Sequence, residues 1–224
     1  DLYQGCELWD FSLVDPDNRR PVDFERRRHW LSELDSLAAI DDAGETAEGL
    51  PQPLRSQALD NTLSDGRAKL SLIRRALLLR EQMPDLFAHG EYSPLTVEGP
   101  HAHRLCAFSR SHQGQSVVVI APRLLAGLSE LAGSSIGYID PLQDPGWDET
   151  WISIPAARLD DVLGGSVSGT ERGAGSDSEN SRKRSTDAKP GQPLETEQHE
   201  GRQALRASRV LRRFPVGLLK TNAR

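Results

Sequence analysis

The chain has 224 residues, 37% of them hydrophobic and 27% charged, with a formal net charge of −6. That acidic balance excludes a dedicated nucleic-acid binder, whose phosphate contacts need a basic face. No apolar run approaches the roughly 18 residues that suggest a membrane span, and no signal-peptide pattern opens the chain.

Aromatic residues make up only 5% and mean hydropathy is −0.53, so part of the chain is not packed. Two cysteines, Cys6 and Cys106, stand far apart. They do not make a disulfide framework, and a reducing cytoplasm is the simpler setting. The first residue is Asp1, the only methionine is Met83, and Asp1-Leu2-Tyr3 starts inside what reads as a structural element. A segment of a longer polypeptide is therefore expected, with a processed mature terminus as the alternative.

Asp1 to Asp23 is the stretch richest in site chemistry. Leu2 and Tyr3 read as the end of a buried strand, and Gly5 permits a sharp exit because glycine takes up positive φ without steric cost. Asp15-Pro16-Asp17-Asn18 is turn chemistry, followed by Arg19, Arg20 and Pro21. Asp23 is placed to cap a helix that begins at Phe24. Strand, polar loop and helix in that order form one βα unit, and such loops carry the active sites of α/β barrels.

From Phe24 to Ile40 the residues Phe24, Leu31, Leu34, Leu37 and Ala38 repeat at helical spacing. Arg26, Arg27 and Arg28 read as the solvated face of that helix. Asp41 to Pro53 reads as a surface connection, and 54–63 as no more than a helical turn. Ser64 or Asp65 then caps a helix from Gly66 to Gln82, whose wide stripe of Leu70, Leu72, Ile73, Ala76, Leu77, Leu79 and Met83 asks to be buried. Pro84 ends it. Arg67 and Lys69 in the first turn oppose the helix dipole. They either meet a substrate hydroxyl or a carboxylate of the first loop, or form an exposed, weakly unfavourable pair.

After Gly90 the period falls towards 2. Tyr92 to Val97, Arg104 to Ser109, Gln115 to Ala121, Trp151 to Ile154 and Phe214 to Leu219 read as strands, with a hairpin turn at Ser111-His112-Gln113-Gly114. Several short strands at this spacing indicate an antiparallel sheet or sandwich. Residues 166–201 carry almost no apolar side chain and are expected to be disordered. Arg182-Lys183-Arg184 within them reads as solvated linker, and Ala204 to Arg213 as a short helix.

Several chemistries lack their residues. Gly164-Gly165 has no strand before it and no helix after it, as a phosphate-binding loop requires. His101-Ala102-His103 is the one close histidine pair, but no cysteine or carboxylate cluster completes a metal site, so a surface pair beside a turn is expected. Carboxylates remain: Glu7, Asp10, Asp15 and Asp17. A retaining glycosidase needs a nucleophile and an acid/base about 5 Å apart, a separation that spacing alone does not give.

Asp-Leu-Tyr-Gln-Gly-Cys-Glu, followed by Asp-Phe-Ser-Leu-Val-Asp-Pro-Asp-Asn-Arg-Arg-Pro-Val-Asp, closely resembles the segment after the eighth barrel strand of maltooligosyltrehalose synthases. These are members of the α-amylase superfamily, glycoside hydrolase family 13. Asp65-Gly66-Arg67-Ala68-Lys69-Leu70 and Arg213-Phe214-Pro215-Val216-Gly217-Leu218-Leu219 agree with the same family, and the similarity runs in order over about three quarters of the chain. The Ser/Gly-rich insertion is this chain's own.

The resemblance implies the C-terminal remnant of a (β/α)8 barrel followed by an antiparallel β-sheet or sandwich domain. Residues 1–90 would be the end of the barrel, 91–165 the β domain, 166–203 a disordered insertion, and 204–224 the last helix and strand of the β domain. It implies an enzyme that rearranges the reducing-end α-1,4 linkage of a maltooligosaccharide to α,α-1,1 through a covalent glycosyl-enzyme, with no cofactor and no metal. The nucleophile Asp, the acid/base Glu and the stabilising Asp would lie upstream of residue 1, so this chain would carry no catalytic residue and would be inactive alone. Its partners would be a maltooligosaccharide and the missing N-terminal part of the same enzyme.

The first loop would then line the acceptor side of the pocket. Arginine offers a rigid fork of donors to sugar hydroxyls, which makes Asp15, Asn18, Arg19 and Arg20 the expected substrate contacts, with Pro16 and Asp17 shaping the turn. The other reading of Asp15 to Arg20 is a turn held by an internal Asp-Arg pair. Trp9 would stack on a pyranose or serve as a core aromatic, Lys69 would join the contacts, and Tyr3, Gly5 and Glu7 would be scaffold. The alternatives are a non-catalytic carbohydrate-binding or accessory β module, and an interaction protein acting through the insertion.

Overall fold

The computed structural model describes residues 3, 5–42, 65–125, 128, 145–155, 158–163, 193–211 and 214–221. Residues 1–81 and 82–224 form two compact units.

The first unit is a loop and two helices. Helix α1, Phe24–Asp42, starts where expected. Its cap is Asp23, whose Oδ1 accepts the Arg26 amide hydrogen at 2.9 Å and so satisfies one of the donors a helix start leaves open. Helix α2, Arg67–Gln82, is capped by Asp65, whose Oδ1 accepts from the Arg67 amide at 3.0 Å. Ala68, Leu70 and Leu79 are buried, whereas Leu77 is 48% exposed. The buried stripe is thus narrower than the run of leucines suggests.

No strand occurs among the described residues of this unit. Asp1, Leu2 and Gln4 lie outside them, and Tyr3 is 66% exposed with its carbonyl accepting from the Cys6 amide, a turn rather than a ladder. The expectation of a buried strand end is corrected at Tyr3, and at Leu2 it lies outside the described residues. The expected turn at 54–63 falls outside the described residues.

Pro84 ends α2 and opens α3, Pro84–His89, where its missing N–H falls at a position with no helical acceptor. This short helix belongs with the β unit, because it packs on strand β3, and Arg110 of that strand donates from Nη2 to the Gly90 carbonyl at 2.9 Å. The compact unit that holds the strands begins at Gln82.

The second unit is built from ten short strands among its described residues: β1 Glu91–Pro94, β2 Val97–Glu98, β3 Leu105–His112, β4 Gln115–Pro122, β5 Trp151–Ser153, β6 Arg158–Asp161, β7 Leu194–Glu195, β8 Glu197–His199, β9 Arg202–Arg206 and β10 Gly217–Lys220. One sheet has the order β1-β3-β4-β10-β6-β7 and the other β2-β5-β9-β8. Every pairing is antiparallel.

The register shows why the sequence alternates. Ala107 opposes Ile120 and Ser109 opposes Val118, while Leu219 sits opposite Val118 on the next strand, so these side chains share one face. Ile152 and Leu205, paired across the smaller sheet, join them in one core with Trp147, Leu159, Leu194, Val210 and Leu211. The two sheets close on that core as the expected sandwich.

Two expectations change here. Leu194 is fully buried and residues 194–199 form β7 and β8, so the stretch expected to be disordered is ordered at its C-terminal end. Leu194 is one of its few apolar side chains, and the core claims it. The remainder, 166–192, lies outside the described residues. Residues 202–206 are strand β9, so the helix expected from Ala204 starts at Ala207, and helix α4 is Ala207–Leu211 among the described residues.

The β3–β4 hairpin turns at Gln113-Gly114, with φ of 48° and 79°. Two central residues at positive φ match the right-handed twist of the strands. Gly114 meets this cheaply and Gln113 does not.

Candidate functional site

The loop from Gly5 to Asp23 encloses a concavity of about 360 Å³. Its local order comes from side chains folding back on the backbone. Asp10 Oδ1 accepts from the Ser12 amide at 2.9 Å and from Ser12 Oγ at 2.6 Å, and Asp17 Oδ2 accepts from the Leu13 amide at 2.8 Å. A 3-10 turn at Asp17–Arg19 follows, closed by the Arg19 amide donating to the Pro16 carbonyl at 3.0 Å. Each is the short-range bonding that Asp and Ser favour over regular structure.

Two ion pairs stand on this turn, the first exposed and the second with its carboxylate half-buried. Arg19 pairs with Asp15, with Nη2 to Oδ2 at 2.9 Å, and Arg20 pairs with Asp17. Exposed pairs at this spacing add little stability. Their effect is to orient two guanidinium groups.

Arg27 anchors the base of the loop. Its Nη2 donates to the Gly5 carbonyl at 2.5 Å, its Nη1 to the Asp23 carbonyl at 2.9 Å and its Nε to Glu7 Oε2 at 3.2 Å. With its side chain only 14% exposed, it is not part of a solvated face, which corrects the expectation for that arginine. Asp23 and Arg27 stand one helical turn apart, and that spacing was the available signal. Glu7 is scaffold as expected, and Gly5 does take positive φ, 94°.

The second motif meets the first at Gly66. With φ of 90°, and an added Cβ only 3.0 Å from the Trp9 amide nitrogen, that position brings the start of α2 against Leu8 and Trp9. Lys69 Nζ donates to the Leu8 carbonyl at 3.1 Å and stands 5.0 Å from the centre of the Trp9 ring. Arg67 bonds Asp65 through Nε at 2.8 Å and Glu33 of α1 through Nη1 at 3.3 Å, and lies 5.5 Å from the Trp30 ring centre. Those partners account for positive charge in the first turn of α2. No first-loop carboxylate is among them.

The six expected contact residues separate into three groups. Trp9, Asn18 and Arg20 line the concavity. Asp15 and Arg19 hold each other and are absent from its lining. Lys69 supports the loop at Leu8 and Trp9 instead of lining the space. Sequence reasoning missed Asp10, Phe11 and Arg27 as lining residues.

The lining offers donors at Asn18 and Arg20, acceptors at Asp10 and Asp17, and aromatic surface at Trp9 and Phe11. That mixture suits a neutral polyhydroxyl ligand with one apolar face. Hydrogen bonds from the Ser12 hydroxyl and amide hold the Asp10 carboxyl below its ordinary range, with smaller help from Lys69 and Arg27. A glycosidic general acid requires the opposite shift.

His101 is another correction. It lies beside a 3-10 turn, is buried, and meets Trp147 edge-on with ring centres 4.7 Å apart. Cys6 and Cys106 are free thiols. Among the described residues, no helix is long and apolar enough to cross a membrane.

No family model matches the chain. Two curated relatives from Mycobacterium tuberculosis, strains CDC 1551 and H37Rv, are 32% identical over 165 residues, or 74% of this chain; both are provisionally named maltooligosyl trehalose synthase. A solved structure of a point mutant of maltooligosyltrehalose synthase from Arthrobacter ramosus covers 99% of the chain at 29% identity with a TM-score of 0.58. The chain belongs to the maltooligosyltrehalose synthase family. It spans 15% of the length of those curated relatives and 20% of the solved synthase chain. The synthase resemblance seen in the first loop and at Gly66 is thus matched by similarity over most of the 224 residues.

Proposed function

We propose that this chain is the C-terminal part of a maltooligosyltrehalose synthase and that the loop from Gly5 to Asp23 forms the acceptor side of its sugar pocket. Residues 1–81 would complete a (β/α)8 barrel, and the sandwich would be the domain that follows it. The enzyme would move the reducing-end glucosyl unit of a maltooligosaccharide from an α-1,4 to an α,α-1,1 linkage in the cytoplasm.

The observation that carries this reading is the concavity lined by Trp9, Asn18 and Arg20, in a chain whose relatives are named maltooligosyltrehalose synthases. The intermediate glucose must be held, turned and kept from water. An arginine fork oriented by Asp17 and an amide at Asn18 supply the hydrogen bonds, and the Trp9 ring, steadied by Lys69, supplies a face for a pyranose. Arg19 with Asp15 would set the rim. The catalytic carboxylates would belong to sequence beyond these 224 residues.

Calorimetry with maltopentaose tests the proposal. Saturable binding to the chain should weaken at least about tenfold in Arg20→Ala and in Trp9→Ala, because each loss of roughly 1.4 kcal/mol is a factor of ten. Reducing ends should stay constant on incubation. Binding that survives deletion of residues 1–23 would instead favour a carbohydrate-binding β module, and loss of reducing ends would place catalytic groups within this chain.

A further inference from the structure

The outer face of the four-stranded sheet carries a cluster with no part in the sugar pocket. Glu98 of β2, His199 of β8 and Glu200 of the following turn bring one ligand atom each within 4.8 Å of one another. β2 and β8 are the two edges of that sheet, and their side chains converge across it over Trp151. His199 Nε2 and Glu98 Oε2 stand 3.8 Å apart. That is too long for a hydrogen bond, and close to the spacing of two ligands that each lie about 2 Å from a shared ion.

Charge on the same face discriminates between its carboxylates. Glu197 is paired twice, with Arg206 Nη2 at 3.3 Å and Arg209 Nη1 at 3.2 Å. Among the described residues, no arginine or lysine pairs with Glu98 or Glu200, and an imidazole is what faces them. Arg206 is turned away to Glu197, with its guanidinium 4.4 Å from the centre of the Trp151 ring. The His199 ring is stacked on the same tryptophan at 4.3 Å and 7°. Stacking fixes the plane of the imidazole, whose Nε2 faces the Glu98 carboxylate, with a Glu200 carboxylate oxygen completing the cluster.

We infer that Glu98, His199 and Glu200 form a binding site for a divalent transition cation, zinc by choice. One imidazole nitrogen and two carboxylate oxygens are a zinc donor set, with the fourth position left to water. The cation would tie β2 to the β8–β9 turn and close the open edges of the smaller sheet on one another.

Zinc sulfate titrated into the metal-free 224-residue chain, with a chromophoric chelator in competition, tests this. The expected result is one zinc per chain, with affinity reduced at least about tenfold in His199→Ala and in Glu98→Gln. Glu98→Gln keeps the shape of the side chain, and circular dichroism shows whether each variant is folded. Copper(II) at the same site should quench tryptophan emission, and Trp151→Phe should abolish that quenching. Absence of zinc binding, or binding equal in wild type and both folded variants, would overturn the inference.

Discussion

Asp10 shows how a single side chain sets the character of the first loop. Its carboxyl is held below the usual range first by the Ser12 hydroxyl, then by the Ser12 amide. A depressed folded-state value contributes stability above the ordinary carboxylate range and loses it as pH falls through the lowered value. Ser12→Ala should raise the Asp10 titration midpoint in a carboxyl-carbon NMR titration; an unchanged midpoint would mean that the Ser12 hydroxyl does not act on it. Gly66 is the other decisive residue. Gly66→Ala combines positive φ with a Cβ against the Trp9 backbone, and should cost more than about 1 kcal/mol in chemical denaturation. Loss of that close approach would also release Trp9, visible as a change in tryptophan emission.

At the level of elements, the β3–β4 hairpin is where one residue is out of place. Gln113 takes a φ of 48° ahead of Gly114, and asparagine tolerates that conformation better. Gln113→Asn should raise stability by a few tenths of a kcal/mol and leave the register from His112 and Gln115 unchanged. A fall in the melting temperature would contradict that account of the turn. Helix starts were legible for a simple reason: the caps at Asp23 and Asp65 are local, and the bonds to Arg26 and Arg67 span two or three residues. The strands of the β unit were legible in β3 and β4, where alternation and a turn signal coincide. β7 and β8 were not, because their neighbours are polar and the burial of Leu194 depends on partners distant in sequence, such as Leu159 of β6. The site was half legible. Turn residues announce themselves at Asp15 to Asn18, but whether Arg19 or Arg20 faces the concavity depends on which carboxylate each one meets. The role of Arg27 was hidden inside a run of three arginines.

Across the whole molecule, the chain divides into two compact units. Residues 1–81 present the polar loop, and residues 82–224 present a sandwich with a continuous core. Tryptophans fall in both: Trp9 on the loop, Trp30 on α1, and Trp147 and Trp151 in the β unit. The four indoles therefore report separately on where an oligosaccharide binds. The most direct measurement is maltopentaose titrated into the chain with its tryptophan side chains labelled with nitrogen-15, followed at the indole N–H signals. The expected result is a saturable shift of the Trp9 signal, abolished by Arg20→Ala, with Trp147 and Trp151 unmoved. A shift confined to Trp151, or a Trp9 signal that does not respond, would contradict the assignment of the sugar pocket to the first loop.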